Sequence, residues 1–347
     1  MFGAFKNLVR CIALQTQESP GRKLSLLGFA CGVSAFPLLP AGVKCLPLHS
    51  TSSFKNIKTE QPFIYNYLIE ANISEYTLLG IYLKELRTIR YIRLKAAISE
   101  EQIRDRLLYQ PEIMELHLTE KNLYHPYEIV DYIRLLKARG IRVYLHHPMK
   151  HHGRYLDIIS SSPEMRQFYN WSSELIASIC KQENIKCIIH CHYSDSECSN
   201  FADKEKRYEM RKRIEEILHI CNQSFLWEDT TEGIFSAENP HLLNEIVRPL
   251  HLPLNIDVSH TFIALKGNNR ALEHHLETYS SYADYYHLVD SLGVEHDSLP
   301  LGKGSINWAT VKPFVGDTDF IFEIDLSESQ FLDCRLMIES AEYFSRI

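Results

Sequence analysis

From residue 89 onward, short apolar runs alternate with amphipathic stretches of helical period, and the alternation repeats eight times. The runs are Tyr91-Ile92-Arg93-Leu94, Ile113-Met114-Glu115-Leu116-His117-Leu118, and residues 141–145, 187–190, 224–227, 254–256, 285–289 and 320–324. Such short, nearly continuous apolar runs suit strands buried on both faces. Between them, Ser99 opens a helix with Gln102 three residues on, a capping-box spacing. Residues 126–137 form a helix halted by Gly140, and residues 207–221 and 240–247 read as further helices. Eight strand–helix units predict an α/β fold, a closed (β/α)8 TIM barrel over residues 89–347. An open doubly wound sheet is the alternative, but no GxGxxG turn follows the first strand.

The chain before the barrel is different in kind. Residues 1–58 hold seven basic side chains and one acid, Glu18. Residues 24–43 carry no charge and are long enough for a membrane span, yet Gly28, Gly32, Pro37, Pro40 and Gly42 interrupt them. A signal peptide cleaved near Val33-Ser34-Ala35 and a basic transit peptide are alternatives to the preferred reading, a poorly ordered extension. Residues 59–88 read as a helical lead-in, around Phe63-Ile64-Tyr65 and residues 78–86.

Composition narrows the function classes. Hydrophobic residues at 45% and charged residues at 23% suit a folded globular chain and exclude a disordered or multi-span membrane protein. The net charge is −7, and residues 59–347 alone hold 30 basic and 43 acidic side chains, a net −13. That balance opposes a nucleic-acid groove and leaves a small-molecule substrate, with self-association allowed. Nine cysteines without CxxC spacing read as reduced thiols of a cytoplasmic protein rather than a disulfide framework.

A barrel carries its chemistry at the C-terminal ends of its strands, and polar residues gather there. The third strand is followed by His146-His147-Pro148, and the fourth ends in His190-Cys191-His192. The fifth runs into Glu228-Asp229, the sixth into Asp257-Val258-Ser259-His260, the seventh holds His287 before Asp290, and the eighth holds Glu323. Glu228, Asp257, His287 and Glu323 make a set of three carboxylates and one imidazole. Such an oxygen-rich set suits Mn2+ first, with Mg2+, Co2+ or Zn2+ as alternatives, and is unlike a thiol-rich structural zinc site. Of His190 and His192, His190 is preferred as the inward residue because it continues the apolar run directly. In the cluster His146, His147, His151 and His152, only His146 is expected to face inward, the rest forming a solvated loop. Lys303, between two glycines, reads either as a phosphate-binding ammonium or as a surface lysine on a tight turn.

These motifs carry a resemblance. Asp257-Val258-Ser259-His260-Thr261-Phe262 is similar to the "DxxHxF" strand-six motif of the xylose isomerase-like TIM barrel superfamily, and His287-Leu288-Val289-Asp290-Ser291 to its "HxxDS". Pro300-Leu301-Gly302-Lys303-Gly304-Ser305-Ile306-Asn307-Trp308 resembles its "PLGxGxIDW" loop, Trp227-Glu228-Asp229-Thr230 its "LENT" strand and Phe322-Glu323 its closing "LE". His146-His147-Pro148 is similar to its "HxP". The resemblance spans residues 89–347 and is strongest from Glu228 onward. It implies a divalent-metal-dependent sugar or sugar-phosphate isomerase or epimerase. Glu228, Asp257, His287 and Glu323 would hold the metal. Glu228 and Glu323 would move a proton beside a carbonyl through an enediolate, and His146, His190, His260 and Lys303 would meet the substrate. The superfamily also includes apurinic-site endonucleases, so a metal-dependent phosphoesterase is the alternative. Three-metal members carry a "DxH" pair before the "PLG" loop, where this chain has His296-Asp297-Ser298. That departure weighs against the phosphoesterase.

Overall fold

The structure, a computed structural model, describes residues 91–193, 200–221 and 224–347. The expected extension (1–58) and helical lead-in (59–88) lie outside the described residues. Eight parallel strands follow one another in sheet order as they do in the chain. They are β1 (Arg93–Ala97), β2 (Ile113–His117), β3 (Arg142–His146), β4 (Lys186–His190), β5 (Phe225–Glu228), β6 (Leu254–Asp257), β7 (Ala283–Leu288) and β8 (Asp319–Phe322). β8 lies beside β1, and Arg93 Nη1 donates to the Thr318 carbonyl at 3.3 Å across that seam. Helices between the strands make this the expected (β/α)8 barrel. The main ones are α1 (Glu100–Leu107), α2 (Glu120–Leu123), α3 (Pro126–Lys137), α4 (Pro163–Glu183), α5 (Lys204–Cys221), α6 (Val258–Ala264), α7 (Asn269–Tyr279), α8 (Trp308–Val315) and α9 (Arg335–Arg346). No helix among the described residues is long and apolar enough to cross a membrane.

Two features of the strands set up the site. The side-chain period of two places Ile113, Ile188, Leu226, Tyr285 and Ile321 in one buried layer across the barrel. Two residues further along the same strands come Glu115, His190, Glu228, His287 and Glu323. The apolar layer is thus a floor, and the polar side chains stand on it toward the C-terminal mouth. Register then sets neighbours: Lys95 opposes Glu115, His117 opposes His146, His190 opposes Glu228, and Asp257 opposes His287.

Helix starts follow the expected chemistry with small departures. Ser99 caps α1 by accepting the Gln102 amide, but the Gln102 side chain reaches back to the Ala97 amide, not to Ser99. The first strand starts two residues later than expected, because Tyr91 has φ 64°, outside strand geometry. Residues 240–247 were expected to be a regular helix. Instead Leu243–Val247 form a π-helical turn that runs into a single turn at Arg248–Leu250, with Pro249 inside it. Proline lacks the amide that an i→i−4 ladder would use there.

Beyond β7, buried Asp290 organises the loop over residues 300–306. Its Oδ1 accepts the amides of Ser291 (2.9 Å) and Ile306 (3.2 Å), and its Oδ2 accepts the Gly302 amide (2.8 Å) and Trp308 Nε1 (3.0 Å). A Cβ on Gly304 would run into the Asp290 carboxylate and the Ser291 backbone. Gly304→Ala should therefore destabilise the chain by about 1–3 kcal/mol, the usual cost of forcing atoms into a packed interior. Urea unfolding reads this as a lower midpoint at unchanged slope, and an unchanged midpoint would refute the packing argument.

Candidate active site

His287 stands at the centre of the mouth, fully buried, with carboxylates on both edges of its ring. Nδ1 lies 3.0 Å from Glu228 Oε1, 2.6 Å from Glu323 Oε2 and 3.9 Å from Asp257 Oδ2. Nε2 lies 2.8 Å from Glu115 Oε2. The ligating atoms of Glu228, Asp257, His287 and Glu323, four residues from four strands, all lie within 4.8 Å of one another. Asp257 shows how the local sequence aims its ligand. Its Oδ1 caps α6, accepting the His260 amide at 2.8 Å and Ser259 Oγ at 2.9 Å. Oδ2 is left buried, with no hydrogen-bond partner, turned toward His287.

The donor set fits a divalent cation. A buried carboxylate oxygen without a donor is costly, and a cation between Asp257 Oδ2 and its neighbours would compensate it. His287 also has the outer partner that metal-bound imidazoles usually have: Glu115 takes up one ring nitrogen and directs the other at the carboxylates.

Histidines ring the Glu228 carboxylate. Oε2 lies 2.9 Å from His190 Nε2 and 3.3 Å from His146 Nε2, and Oε1 lies 3.7 Å from His260 Nδ1. Burial pushes Glu228 up, but His190 and His287 outweigh it and hold the carboxyl well below the usual range. His260 shows the opposite balance: burial lowers it, and Asp257 and Glu228 raise it above its ordinary value. Asp229 supports this wall, its Oδ1 accepting the Asp257 amide and its Oδ2 accepting Thr261 Oγ1, each at 2.8 Å. Burial pushes its carboxyl up to about 7.

The expected residues are distributed as follows. Glu228, Asp257, His287, Glu323, His146, His190 and His260 come together in one linked cluster around Glu228 and His287. His190 faces Glu228, whereas His192 is buried behind it, its Nε2 accepting the Phe235 amide at 3.1 Å. Lys303 stands apart, exposed on the turn between Gly302 and Gly304. The expectation of a solvated loop beyond His146 is corrected. His147 is buried and bonds Ser172 Oγ at 3.0 Å, and His151 is buried against the Phe168 ring at 3.9 Å, while His152 is exposed. The apolar face of α4 covers that stretch.

Two charged residues of the site were not anticipated. Lys95 Nζ, on β1, lies 2.6 Å from Glu323 Oε1 and 3.1 Å from Glu115 Oε1. Burial pushes Lys95 down, but Glu323, Glu115 and Glu228 overcome it and hold the ammonium above its usual value. A charge in the middle of an apolar strand, as in Arg93-Leu94-Lys95-Ala96 and Ile113-Met114-Glu115-Leu116, was the available signal.

An eight-stranded barrel with an oxygen-rich ligand cluster at its C-terminal mouth defines the class. The chain belongs to the xylose isomerase-like TIM barrel family, whose sequence model matches residues 112–333. No curated protein matches the sequence significantly. Solved structures with the same fold include a D-tagatose 3-epimerase-like protein, 15% identical, with TM-score 0.58 over 73% of this chain and 96% of that one. Another is the D-psicose 3-epimerase of Clostridium cellulolyticum H10, crystallised with D-tagatose, 12% identical, TM-score 0.55, covering 73% and 98%. A third is the D-allulose 3-epimerase of Methylomonas sp. in complex with D-allulose, 14% identical, TM-score 0.53, covering 73% and 96%. At these identities the likeness is one of fold.

Proposed function

We propose that this protein is a divalent-metal-dependent isomerase or epimerase acting on a sugar or sugar phosphate. The observation that carries this reading is the convergence of Glu228, Asp257, His287 and Glu323 within 4.8 Å at the barrel mouth. The sugar epimerases among the structures of like fold support the same substrate class. Bound there, a divalent ion would polarise the substrate carbonyl and offset the charge of an enediolate. Glu228 and Glu323 supply the proton transfers. One carboxylate takes the proton from the carbon beside the carbonyl, and the other returns a proton to the opposite face. His146 and His190 hold the Glu228 carboxylate ionised and in place. His260, with one ring edge against Glu228, is positioned to meet a substrate hydroxyl.

A second reading, a metal-dependent phosphoesterase, draws on one specific observation. His146, His190 and Glu228 form a further ligand group, and the 295–298 loop brings His296 against Asp257 and His260 as another. The net −13 of residues 59–347 opposes a DNA substrate.

Solvent exchange separates the two. In D2O with Mn2+, the protein should wash deuterium into the carbon beside the carbonyl of a ketose or ketose phosphate, read as loss of that proton signal by NMR. Dialysis against a chelator should stop the exchange and Mn2+ should restore it. Cleavage of a phosphodiester, with no exchange into any ketose of the panel, would overturn the isomerase reading in favour of the hydrolase.

A further inference from the structure

Away from the His287 cluster, a second group of ligating side chains is built from three separate segments. Lys150–His151 and Arg154–Tyr155 pair as a short antiparallel hairpin after β3. Its two turn residues, His152 and Gly153, have φ of 48° and 78°. Positive φ at both central positions is the type I′ geometry, which Asn-Gly fills most readily. A histidine is therefore held in a left-handed conformation at a place where asparagine would sit with less strain. The two rings lie with centroids 4.1 Å apart, tilted by 40°, and the His151 ring stacks on Phe168 of α4.

Both edges of this imidazole pair meet carboxylates. On one edge, Glu120 Oε1, at the start of α2, lies 3.1 Å from His151 Nδ1 and 3.8 Å from His152 Nδ1. On the other, Glu164 Oε1, in the first turn of α4, lies 3.7 Å from His151 Nε2 and 3.8 Å from His152 Nε2. The His152 amide donates to Glu120 Oε2 at 2.9 Å and fixes that carboxylate, and Arg154 Nη2 holds Glu164 Oε2 at 3.5 Å. A neutral imidazole has one N–H. With one N–H each, the two rings cannot offer a proton to all four of these carboxylate contacts, and only His151 Nδ1 to Glu120 is at hydrogen-bond distance. Protonating both rings would instead set two cations 4.1 Å apart. A metal ion would use the lone pairs that no proton satisfies.

We propose that His151 Nδ1, His152 Nδ1 and Glu120 Oε1 form a second divalent-metal site, of the zinc class, with water completing the coordination from the solvent side. Two imidazoles and one carboxylate are a zinc-type donor set. The three ligating residues already lie within 4.8 Å of one another. Glu164 Oε1, 3.7 and 3.8 Å from the two Nε2 atoms, stands on the side where the outer carboxylate of metal-bound histidines is found. The ion would tie the hairpin to α2 and so stiffen two of the loops that rim the barrel mouth. It takes no part in the proton transfers.

The test uses the full chain, stripped with a chelator and re-equilibrated with Zn2+ alone, with bound zinc counted by elemental analysis. His152→Asn keeps the hairpin turn, since asparagine favours this geometry, and Glu120→Gln keeps the side-chain shape. Each should bind one zinc equivalent fewer than its parent. The same difference should hold when the parent already carries Asp257→Asn and Glu323→Gln, so the result does not depend on what the barrel mouth binds. Zinc should also slow amide exchange over residues 147–156 in the parent and not in His152→Asn. Equal zinc content in parent and His152→Asn would overturn the proposal while leaving the barrel-mouth reading intact. Loss of the difference in the Asp257→Asn, Glu323→Gln background would overturn it too, by assigning the zinc to the mouth.

Discussion

Glutamine in place of Glu323 should cut solvent deuterium exchange into the substrate by about 10²- to 10⁴-fold, the range that a positioned general base contributes. Of the four clustered ligands, Glu323 is the only one whose side chain reaches solvent, at 27% against 1% or less for the others. It is therefore the carboxylate that an entering substrate meets. Burial pushes it up, but Lys95 and His287 outweigh that and keep it ionised, the form a base requires. Glutamine preserves the volume and one donor oxygen while removing the proton acceptor. The chain should be less stable than the parent, since Lys95 and His287 lose the carboxylate that compensates them, so exchange is read well below the variant's own unfolding midpoint. Metal content measured on the same sample separates a lost base from a lost ligand. Exchange at the parent rate, with metal bound, would show that Glu323 takes no proton.

Much of the fold and part of the site were legible in the sequence, for one physical reason. Where a strand leaves the barrel, the chain passes from an apolar run to side chains that face the mouth, so the boundary is written as a change in polarity. Glu228, Asp257 and His190 sit at such boundaries, and their strands end where that change occurs. Lys95 and Glu115 do not. They lie in mid-strand, and only the register that sets them side by side shows that each compensates the other. A charged residue flanked by apolar ones reads locally as a solvent-facing position, and in a barrel that inference fails because both faces are covered. His151 was misjudged for a related reason. Its burial comes from Phe168, seventeen positions away in α4, a contact that no local pattern around a run of histidines could reveal. The break in the expected helix at 240–247 was more open to inspection, since Pro249 follows it closely.

Replacing Lys95 with methionine should produce the largest loss of stability, about 3–5 kcal/mol near neutral pH, the cost of removing one partner from a buried ion pair. Methionine fills similar space, so packing is largely conserved and the lost ammonium is what the measurement reads. Glu323 and Glu115 would then lose the cation at 2.6 and 3.1 Å, leaving His287 as the basic side chain in contact with both. In the parent, burial raises Glu115, and His287 and Lys95 more than offset it, so its folded value lies below the ordinary 4.5. Its contribution to stability is then present above pH 4.5 and lost as pH falls through the lower folded value. Without Lys95 the balance moves toward the burial effect, and the folded values of these carboxylates rise. A raised carboxylate contributes stability at low pH and loses it as pH climbs. The deficit of Lys95→Met should accordingly shrink on going from pH 8 toward pH 5, measured by guanidinium unfolding with chelator present. A deficit that is small, or that stays constant across this range, would mean that Lys95 is not what allows Glu115 and Glu323 to stand ionised side by side. In that case Glu323 would have to lose its proton by another route before it could act as a base.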